Sequence, residues 1–328
     1  MACIERPPSP STSQARLPAD LELQIFTLAA LAHRKSIPNM LLVAHRVHTW
    51  IEPLLYPRVN IYNLDANDAD LATLKLWRLL QANARPPQFF ANAVKRLYLF
   101  PVYRIERQGP PLLSGWTDTQ LGKLLSACSG VQDVALLLNH RDPPLWELVT
   151  AANLHPRRLV LILPDPKEPV QLANPLFGAL SHLAFMGTLV DAEFAAQLDE
   201  GIPLLPRLTH LAISGTRGPG SQPELLAPLL SVNQLQVLIL DGTGAWNVPT
   251  ELRDVRVVTM SMGRVLQWWF GGEDEQLDYW AAAETFVERK RRGDVPESRY
   301  FVDPTKQITN LDGSGASQIT GNIHGGQY

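Results

Sequence analysis

Four hexapeptides in the middle of the chain decide its fold: PRRLVL at residues 156–161, LSHLAF at 180–185, LTHLAI at 208–213 and LQVLIL at 235–240. In each of them, apolar residues occupy the fourth and sixth positions. Alternate side chains of a β-strand point to opposite faces of a sheet, so this spacing predicts short strands with those two residues facing one core. Related hexapeptides begin at Val94, Val131 and Val255, and YPRVNI at residues 56–61 predicts an atypical first strand.

The hexapeptides recur at a nearly regular interval. Their fourth residues are separated by 37, 25, 24, 28, 27 and 20 positions, and they are Leu97, Val134, Leu159, Leu183, Leu211, Leu238 and Val258. Five of the six intervals fall in the range of about 20 to 29 residues that is typical of leucine-rich repeats. Helix-like stretches lie between them, at residues 70–83, 117–128, 144–154, 191–198 and 223–230. We therefore expect an α/β fold, in which parallel strands and return helices stack as a leucine-rich-repeat solenoid over residues 57–262.

The remaining segments differ from the repeats in composition. Residues 1–16 are rich in Pro and Ser without apolar periodicity, which predicts a disordered leader. Residues 17–56 carry apolar side chains at helical spacing, which predicts a small helical module. Residues 263–300 predict a C-terminal helical cap, and the polar, Gly-rich residues 301–328 predict a disordered tail.

The composition limits which classes of partner and which cellular compartments we expect for this protein. The formal net charge of -3 gives no reason to expect nucleic acid or an anionic membrane as a partner. The longest apolar runs, such as LVLIL at residues 159–163, are far shorter than the roughly 20 residues that cross a bilayer. Two cysteines and an N-terminus without an apolar run indicate an intracellular protein, cytoplasmic or nuclear.

We expect no catalytic, cofactor-binding or metal-binding residues, because no GxSxG, HExxH, CxxC or P-loop pattern occurs. His182 and His210 occupy equivalent hexapeptide positions and can lie near one another on adjacent strands. Neither has a carboxylate or thiol at equivalent spacing, which favours repeat-surface residues over a metal pair. The Gly-rich segments 214–221 and 241–244 are interpreted as loops, although a nucleotide-binding enzyme with a doubly wound sheet stays an alternative.

The helical module has a recognisable order of residues. Leu17-Pro18 opens it, Leu21 and Ile25-Phe26 follow at first-helix spacing, and Leu41-Leu42-Val43-Ala44-His45-Arg46 with Trp50 comes next. This block of about 40 residues resembles an F-box. It departs from that family at Ala44, where a small polar residue is usual, and at residues 29–35, which lack the family's aspartate-led turn.

The resemblance implies a function. F-box proteins use this unit to bind the Skp adaptor of a cullin-RING ubiquitin ligase, while a downstream repeat domain selects the protein substrate. It implies an adaptor-binding surface made of Leu17, Pro18, Leu21, Ile25, Phe26, Leu41, Leu42, Val43 and Trp50. The alternative is a non-degradative repeat scaffold in which these helices only cap the solenoid.

The other face of the predicted sheet is unusually apolar. Alternation places there Tyr98, Phe100, Leu137, Val160, Ile162, Met186 and Ile239, which become the candidate substrate-binding residues. A surface of this kind needs a cover. A protein partner is the preferred cover, and the chain's own C-terminal segment around residues 268–280 is the alternative.

Overall fold

The computed structural model describes residues 17–61, 71–99, 117–137, 143–163, 170–187, 189–216, 220–242, 246–261 and 278–303. Within these ranges, eight strands form one parallel sheet, in which each strand lies beside its neighbours in the sequence. They are β1 (Arg58–Ile61), β2 (Arg96–Leu99), β3 (Asp133–Leu137), β4 (Arg158–Ile162), β5 (His182–Met186), β6 (His210–Ile213), β7 (Val237–Asp241) and β8 (Val257–Met260). The predicted α/β class is confirmed, and sequential parallel strands alternating with helices have the form of a solenoid-like repeat.

Helices precede the sheet and alternate with its strands. The first three are α1 (Ala19–Ala32), α2 (Ile37–Met40) and α3 (His45–Ile51); between strands come α4 (Leu71–Gln81), α5 (Pro87–Ala93), α6 (Asp118–Ala127), α7 (Pro143–Ala151) and α8 (Ala192–Gly201), and α9 (Tyr279–Arg291) follows β8. Short 3-10 helices occupy Arg34–Ser36, Glu52–Leu55, Pro175–Phe177, Ile202–Leu204, Pro223–Ser231 and Thr250–Leu252. Each helix-like stretch of the sequence coincides with one of these elements. Within the described ranges, no helix has the length and apolarity needed to cross a membrane.

The strand register follows the hexapeptide pattern closely. Leu97 pairs with Val134, and the same fourth positions continue through Leu159, Leu183, Leu211 and Leu238. Val59 of the atypical first strand pairs with Leu97. The register holds because a shift by one residue would turn every core leucine to the other face of the sheet.

The last strand is the exception, and its predicted register is wrong by one residue. Leu238 pairs with Val257 rather than with Val258, so Val257 joins the core beside the helices while Val258 and Met260 face the other way. Both phases of VRVVTM carry apolar residues, which removes the alternation signal. A turn at Asp254 fixes which residues of β8 face the helices. The Asp254 carbonyl accepts the Val257 N–H at 3.2 Å, and its carboxylate accepts the Arg256 N–H at 2.8 Å.

The main core lies between the sheet and the connecting helices, and we call this side the helix face. Strand residues such as Leu97, Leu159 and Leu211 are fully buried there, together with the Cys128 thiol at the end of α6. Each such leucine contributes about 1.5 to 3 kcal/mol through burial. The core is continuous from β1 to β8, which is why each repeat depends on its neighbours.

The N-terminal helices have a small core of their own, formed by Ala30, Ile37, Val47 and Ile51. Leu55 packs against both this cluster and the main core. Glu52 is buried at the junction and accepts two hydrogen bonds from the Arg85 guanidinium, both of 2.8 Å. These contacts attach the helical module directly to the first repeat.

Candidate functional site: the apolar surface of the N-terminal helices

Helix α1 has an unusual distribution of apolar side chains. Its sequence ADLELQIFTLAALA places them around most of the helix, yet Ala30 is its only fully buried residue. A helix that is apolar all round is normally buried in a core or against a partner. Its exposed positions therefore identify α1 as an element with unsatisfied apolar surface.

Exposed apolar side chains are concentrated in this part of the molecule. Among the described residues, nine large apolar side chains are exposed, and eight of them lie between positions 17 and 43: Leu17, Leu21, Leu23, Ile25, Leu28, Leu31, Leu42 and Val43. The ninth is Leu204, in a 3-10 helix of the repeats. Leu42 is the most exposed, at 84%. We call the group of eight the N-terminal apolar surface.

The predicted adaptor-binding residues divide into two groups. Leu17, Pro18, Leu21, Ile25, Leu42 and Val43 are exposed. Phe26, Leu41 and Trp50 are half-buried and pack against the small core of the module. The first group can contact a partner directly, whereas the second supports the surface from beneath.

An ion pair joins the two ends of this surface. The Arg46 guanidinium donates to both carboxylate oxygens of Glu22, at 2.7 and 3.0 Å, so the start of α3 is held beside the start of α1. The hydrogen bond to Glu22 also raises the pKa of Arg46. Because Arg46 is exposed, the pair fixes geometry more than it adds stability.

Ala44 is the N-cap of α3, and it provides no side-chain hydrogen bond to the helix. Ser, Thr, Asn or Asp at an N-cap accepts from an otherwise unpaired backbone N–H. Ala44 therefore leaves the first turn of α3 without a side-chain acceptor for its backbone N–H groups.

The opposite face of the sheet, which carries the fifth hexapeptide positions, is covered by the chain itself. Tyr279, Trp280, Ala283, Phe286 and Val287 of α9 form one buried cluster with Val160, Ala184, Ala212 and Ile239 of the strands. Of the two covers considered above, the C-terminal segment is thus the one the structure shows, and the preference for a partner over this area is corrected. The alternation rule itself is right, since these residues do share the opposite face.

The candidate substrate-binding residues differ in how deeply they are buried on this face. Tyr98, Val160, Met186 and Ile239 are buried. Leu137 and Ile162, at the ends of β3 and β4, are only partly buried. Phe100 lies outside the described residues, as do residues 1–16, most of the region 263–278 and the tail beyond residue 303.

The exposed edge of the sheet is also closed by the C-terminal region. Thr259 of β8 donates its N–H to the Tyr300 carbonyl at 2.8 Å, and its own carbonyl accepts from the Val302 N–H at 2.9 Å. Phe301 and Val302, assigned above to the tail, therefore lie beside the last strand. Pairing of this kind protects an edge strand from association with other chains.

A polar row crosses the opposite face at the third hexapeptide positions. Asp133 is buried and accepts two hydrogen bonds of 2.6 Å from Arg158, while Arg96 approaches it at 3.3 Å. Arg158 also donates to Asp278, the N-cap of α9, at 2.8 Å. The hydrogen bond to Asp133 raises the pKa of Arg158. The row thus links the start of α9 to strands β2 to β4.

The row continues into the two histidines. His182 pairs with His210 in the sheet, and their rings stack at a centroid distance of 4.2 Å. Their predicted proximity is confirmed, but His210 is 3% exposed and so is not a surface residue of the repeat. Burial, with a neighbouring positive charge on Arg158 for His182, lowers the pKa of both imidazoles to about 4. Both rings are therefore neutral near pH 7.

Sequence reasoning missed the groups that α9 brings to this row. Asp278, Trp280 and Glu284 lie far along the chain from the strands they contact, and no motif marks them. The available signal was the i, i+3, i+7 spacing of Trp280, Ala283 and Val287, which is typical of a helix with one buried face. That spacing predicts burial but does not say against which surface.

Comparison with protein-family models gives no match to this chain, and neither does comparison with curated proteins.

Proposed function

We propose that the chain is a non-enzymatic adaptor, whose N-terminal helices bind the Skp-type subunit of a cullin-RING ubiquitin ligase and whose repeats bind a protein substrate. The observation that carries this proposal is the concentration of exposed apolar side chains at residues 17–43. Contiguous apolar surface on a folded protein marks interaction sites. The resemblance to an F-box supplies the identity of the proposed partner.

The attachment of the module to the repeats supports the same function. A substrate adaptor has to hold its ligase-binding unit and its recognition domain in a fixed relation. The buried Glu52–Arg85 pair and the shared contacts of Leu55 provide that connection. The exposed group on α1 and the 41–43 turn stays clear of this junction, so one module can cap the repeat and still present a binding surface.

The non-degradative scaffold is the competing function, and the two differ in what the exposed residues do. If the helices only cap the repeats, the cap is complete through Ile37, Val47 and Ile51 and the exposed group has no partner. Charge placed on that group would then have no effect on any complex. The docking proposal requires the opposite result.

The test is co-purification of a Skp-type adaptor with single-residue variants. Ile25→Asp and Leu42→Asp alter residues that are 52% and 84% exposed, so the fold should tolerate both. Each is expected to lower adaptor retention by at least about tenfold, because central apolar anchors carry most of the energy of an interface. Leu204→Asp is the matched control, since Leu204 is 61% exposed but lies on the repeats.

Retention of the adaptor by Ile25→Asp and Leu42→Asp at the level of the control would overturn the docking surface. Failure of the unmodified chain to retain any Skp-type adaptor would overturn the choice of partner. Circular dichroism of each variant establishes that the fold is intact.

Substrate recognition is proposed for the part of the opposite face that α9 leaves partly open, around Leu137 and Ile162. Ile162→Glu is expected to reduce the set of proteins that the chain retains from cells, at an unchanged melting temperature. Met186→Glu is the contrasting variant, because Met186 is buried and a charge there should unfold the sheet locally. Unchanged retention by Ile162→Glu would place recognition elsewhere.

A further inference from the structure

Two imidazoles and one carboxylate converge where α9 crosses β5 and β6. His182 and His210 come from adjacent strands, and Glu284 comes from the second turn of α9. One ligand atom from each of the three lies within 4.8 Å of the others. His210 Nε2 lies 3.0 Å from Glu284 Oε1.

The Nδ1 atom of each imidazole ring lies within hydrogen-bonding distance of a hydroxyl group. His182 Nδ1 lies 2.8 Å from Ser181 Oγ, and His210 Nδ1 lies 2.7 Å from Thr209 Oγ1. Each hydroxyl also has a backbone carbonyl for its own proton, that of Arg157 at 3.1 Å and that of Ser181 at 3.2 Å. The hydroxyl oxygens can therefore accept the Nδ1 protons, which leaves the lone pair on Nε2. A ring oriented through its other nitrogen in this way is typical of metal-ligating histidines.

The Nε2 atom of His210 lacks a hydrogen bond within the part of the chain that the structure describes. His210 Nε2 is buried and has no hydrogen-bond partner among the described residues, because Glu284 approaches it without the direction of a hydrogen bond. A buried polar atom without a partner is costly, and a carboxylate oxygen 3.0 Å away adds repulsion between two electron-rich atoms. A cation between the two atoms converts this unfavourable contact into two favourable ones.

The geometry points to a binding site for a divalent transition-metal cation, Zn²⁺ above all, with His182, His210 and Glu284 as its protein ligands. Two imidazoles and a carboxylate form a ligand set that zinc commonly takes, with water completing a tetrahedron. Zinc–ligand distances of about 2.0 to 2.2 Å place tetrahedral ligand atoms roughly 3.3 Å apart. The 3.0 Å approach and the 4.8 Å limit bracket that separation.

The two imidazole rings stack within 9° of parallel, so both rings have to turn toward one another, and Glu284 has to close on them, when a cation binds. The Trp280 ring meets both imidazoles edge to face, at centroid distances of 5.0 and 5.7 Å. Glu284 has a side chain that is 48% exposed, so it can move toward the rings without disturbing the core. A bound cation would connect β5, β6 and α9, and it would thereby fix the helix that covers the opposite face. This inference does not depend on the adaptor function.

The test is titration of Zn²⁺ into the full chain, purified without a histidine tag and treated with a chelator. Calorimetry is expected to give one cation per chain with a dissociation constant in or below the micromolar range. Glu284→Gln and His182→Gln should each weaken binding by at least about tenfold, since each removes a ligand. Glu288→Gln, on the same helix, and His155→Gln, an exposed histidine, are the matched controls and should bind like the parent.

A second readout is independent of affinity. Zn²⁺ should raise the melting temperature of the parent and of both controls, and it should not raise that of Glu284→Gln, because a ligand that binds only the folded state stabilises it. Equal binding by parent, Glu284→Gln and His182→Gln would overturn the site. Absence of stoichiometric binding by the parent would also overturn it, and would leave a proton shared by His210 and Glu284 as the occupant of the contact.

Discussion

The first and last helices of the described chain are similar in length but opposite in their relation to the sheet. Helix α1 has 14 residues and buries only Ala30, whereas α9 has 13 residues and buries Tyr279, Trp280, Ala283, Phe286, Val287 and Lys290. Apolar content alone therefore does not distinguish a helix that covers a core from one that offers a binding surface. The distinction lies in whether the fold itself provides a complementary face.

The polar anchors of the two helices differ in the same sense. The N-cap of α9 is Asp278, whose carboxylate accepts the Trp280 N–H at 3.0 Å and also binds Arg158 of the sheet. The N-cap of α1 is Pro18, which provides no side-chain hydrogen bond, and the helix is linked to α3 by the pair between Glu22 and the exposed Arg46. The fold thus fixes α9 at both its apolar face and its first turn, while α1 keeps its surface available.

The largest expected effect concerns the Cys128 thiol, which is buried in the core on the helix face of the sheet. Burial raises the pKa of Cys128 to about 12. At pH 8 the folded chain should therefore hold on the order of a thousandfold less thiolate than the unfolded chain, and it should react more slowly with a disulfide reagent. The measurement is the reaction rate in a Cys3→Ser background, with and without denaturant.

The same reporter compares the two helices. Trp280→Ala should increase the reaction rate of Cys128, because it loosens the cover of the sheet and favours opening of the core. Ile25→Asp should leave the rate unchanged. Equal acceleration by both variants would show that α1 supports the repeat core as much as α9 does.

Removal of a large side chain from each helix is the next contrast. Trp280 is 2% exposed, and Trp280→Ala should cost about 3 to 5 kcal/mol of unfolding free energy. Leu28→Ala on α1 should change it by no more than about 0.5 kcal/mol, since Leu28 is exposed. Urea titration followed by circular dichroism measures both. A large loss for Leu28→Ala would mean that α1 is internally packed and is not a docking element.

The third contrast concerns two bidentate arginine–carboxylate pairs with similar distances. Asp133→Ala removes the buried partner of Arg158 and should cost about 2 to 3 kcal/mol, less than for a fully buried pair because Arg158 is partly exposed. Glu22→Ala removes the partner of Arg46, whose side chain is 52% exposed, and should have little effect on stability. Thermal melts measure the loss of stability in each variant. Similar decreases in melting temperature would show that the Glu22–Arg46 pair stabilises the fold as much as the Asp133–Arg158 pair does.

Much of the repeat could be predicted because its determinants are local. Alternating apolar residues specify both the strand and its face, so the positions Leu97, Leu159, Leu183 and Leu211 are aligned as expected. Thr117 and Gln120 similarly mark the start of α6, where they exchange capping hydrogen bonds of 3.2 and 3.0 Å. These signals operate over a few residues and need no tertiary information.

What could not be predicted depends on contacts between distant segments. The register of β8 depends on which residues of VRVVTM face the connecting helices of the repeats and which face α9. Both sets contain apolar residues, so the sequence pattern does not decide between them. Likewise, Glu284 reaches His210 across 74 positions of sequence, the difference between 284 and 210, so equivalent spacing within the repeats gives no sign of it. The N-terminal apolar surface lies between these cases, because helical spacing predicts the helices but not which apolar side chains stay exposed.

The smallest expected effect is a gain in stability within the N-terminal module, from Ala44→Ser. Ala44 has extended backbone angles and caps α3 without a side-chain hydrogen bond, while its carbonyl already accepts the His48 N–H at 2.9 Å. A serine hydroxyl at this position can accept a backbone N–H from the first turn of α3 and should stabilise the helix by about 0.5 to 1 kcal/mol. The gain should appear as a small rise in melting temperature, and Ala29→Ser within α1 is the control, since serine inside a helix brings no cap and slightly lowers helix stability. Adaptor retention should be the same for Ala44→Ser as for the parent, because the hydroxyl is directed to the backbone and leaves Leu42 and Val43 in place. A lower melting temperature would mean that the Ala44 methyl contributes packing to the small core that outweighs the added hydrogen bond, and that the module is held together more tightly than its exposed surface indicates.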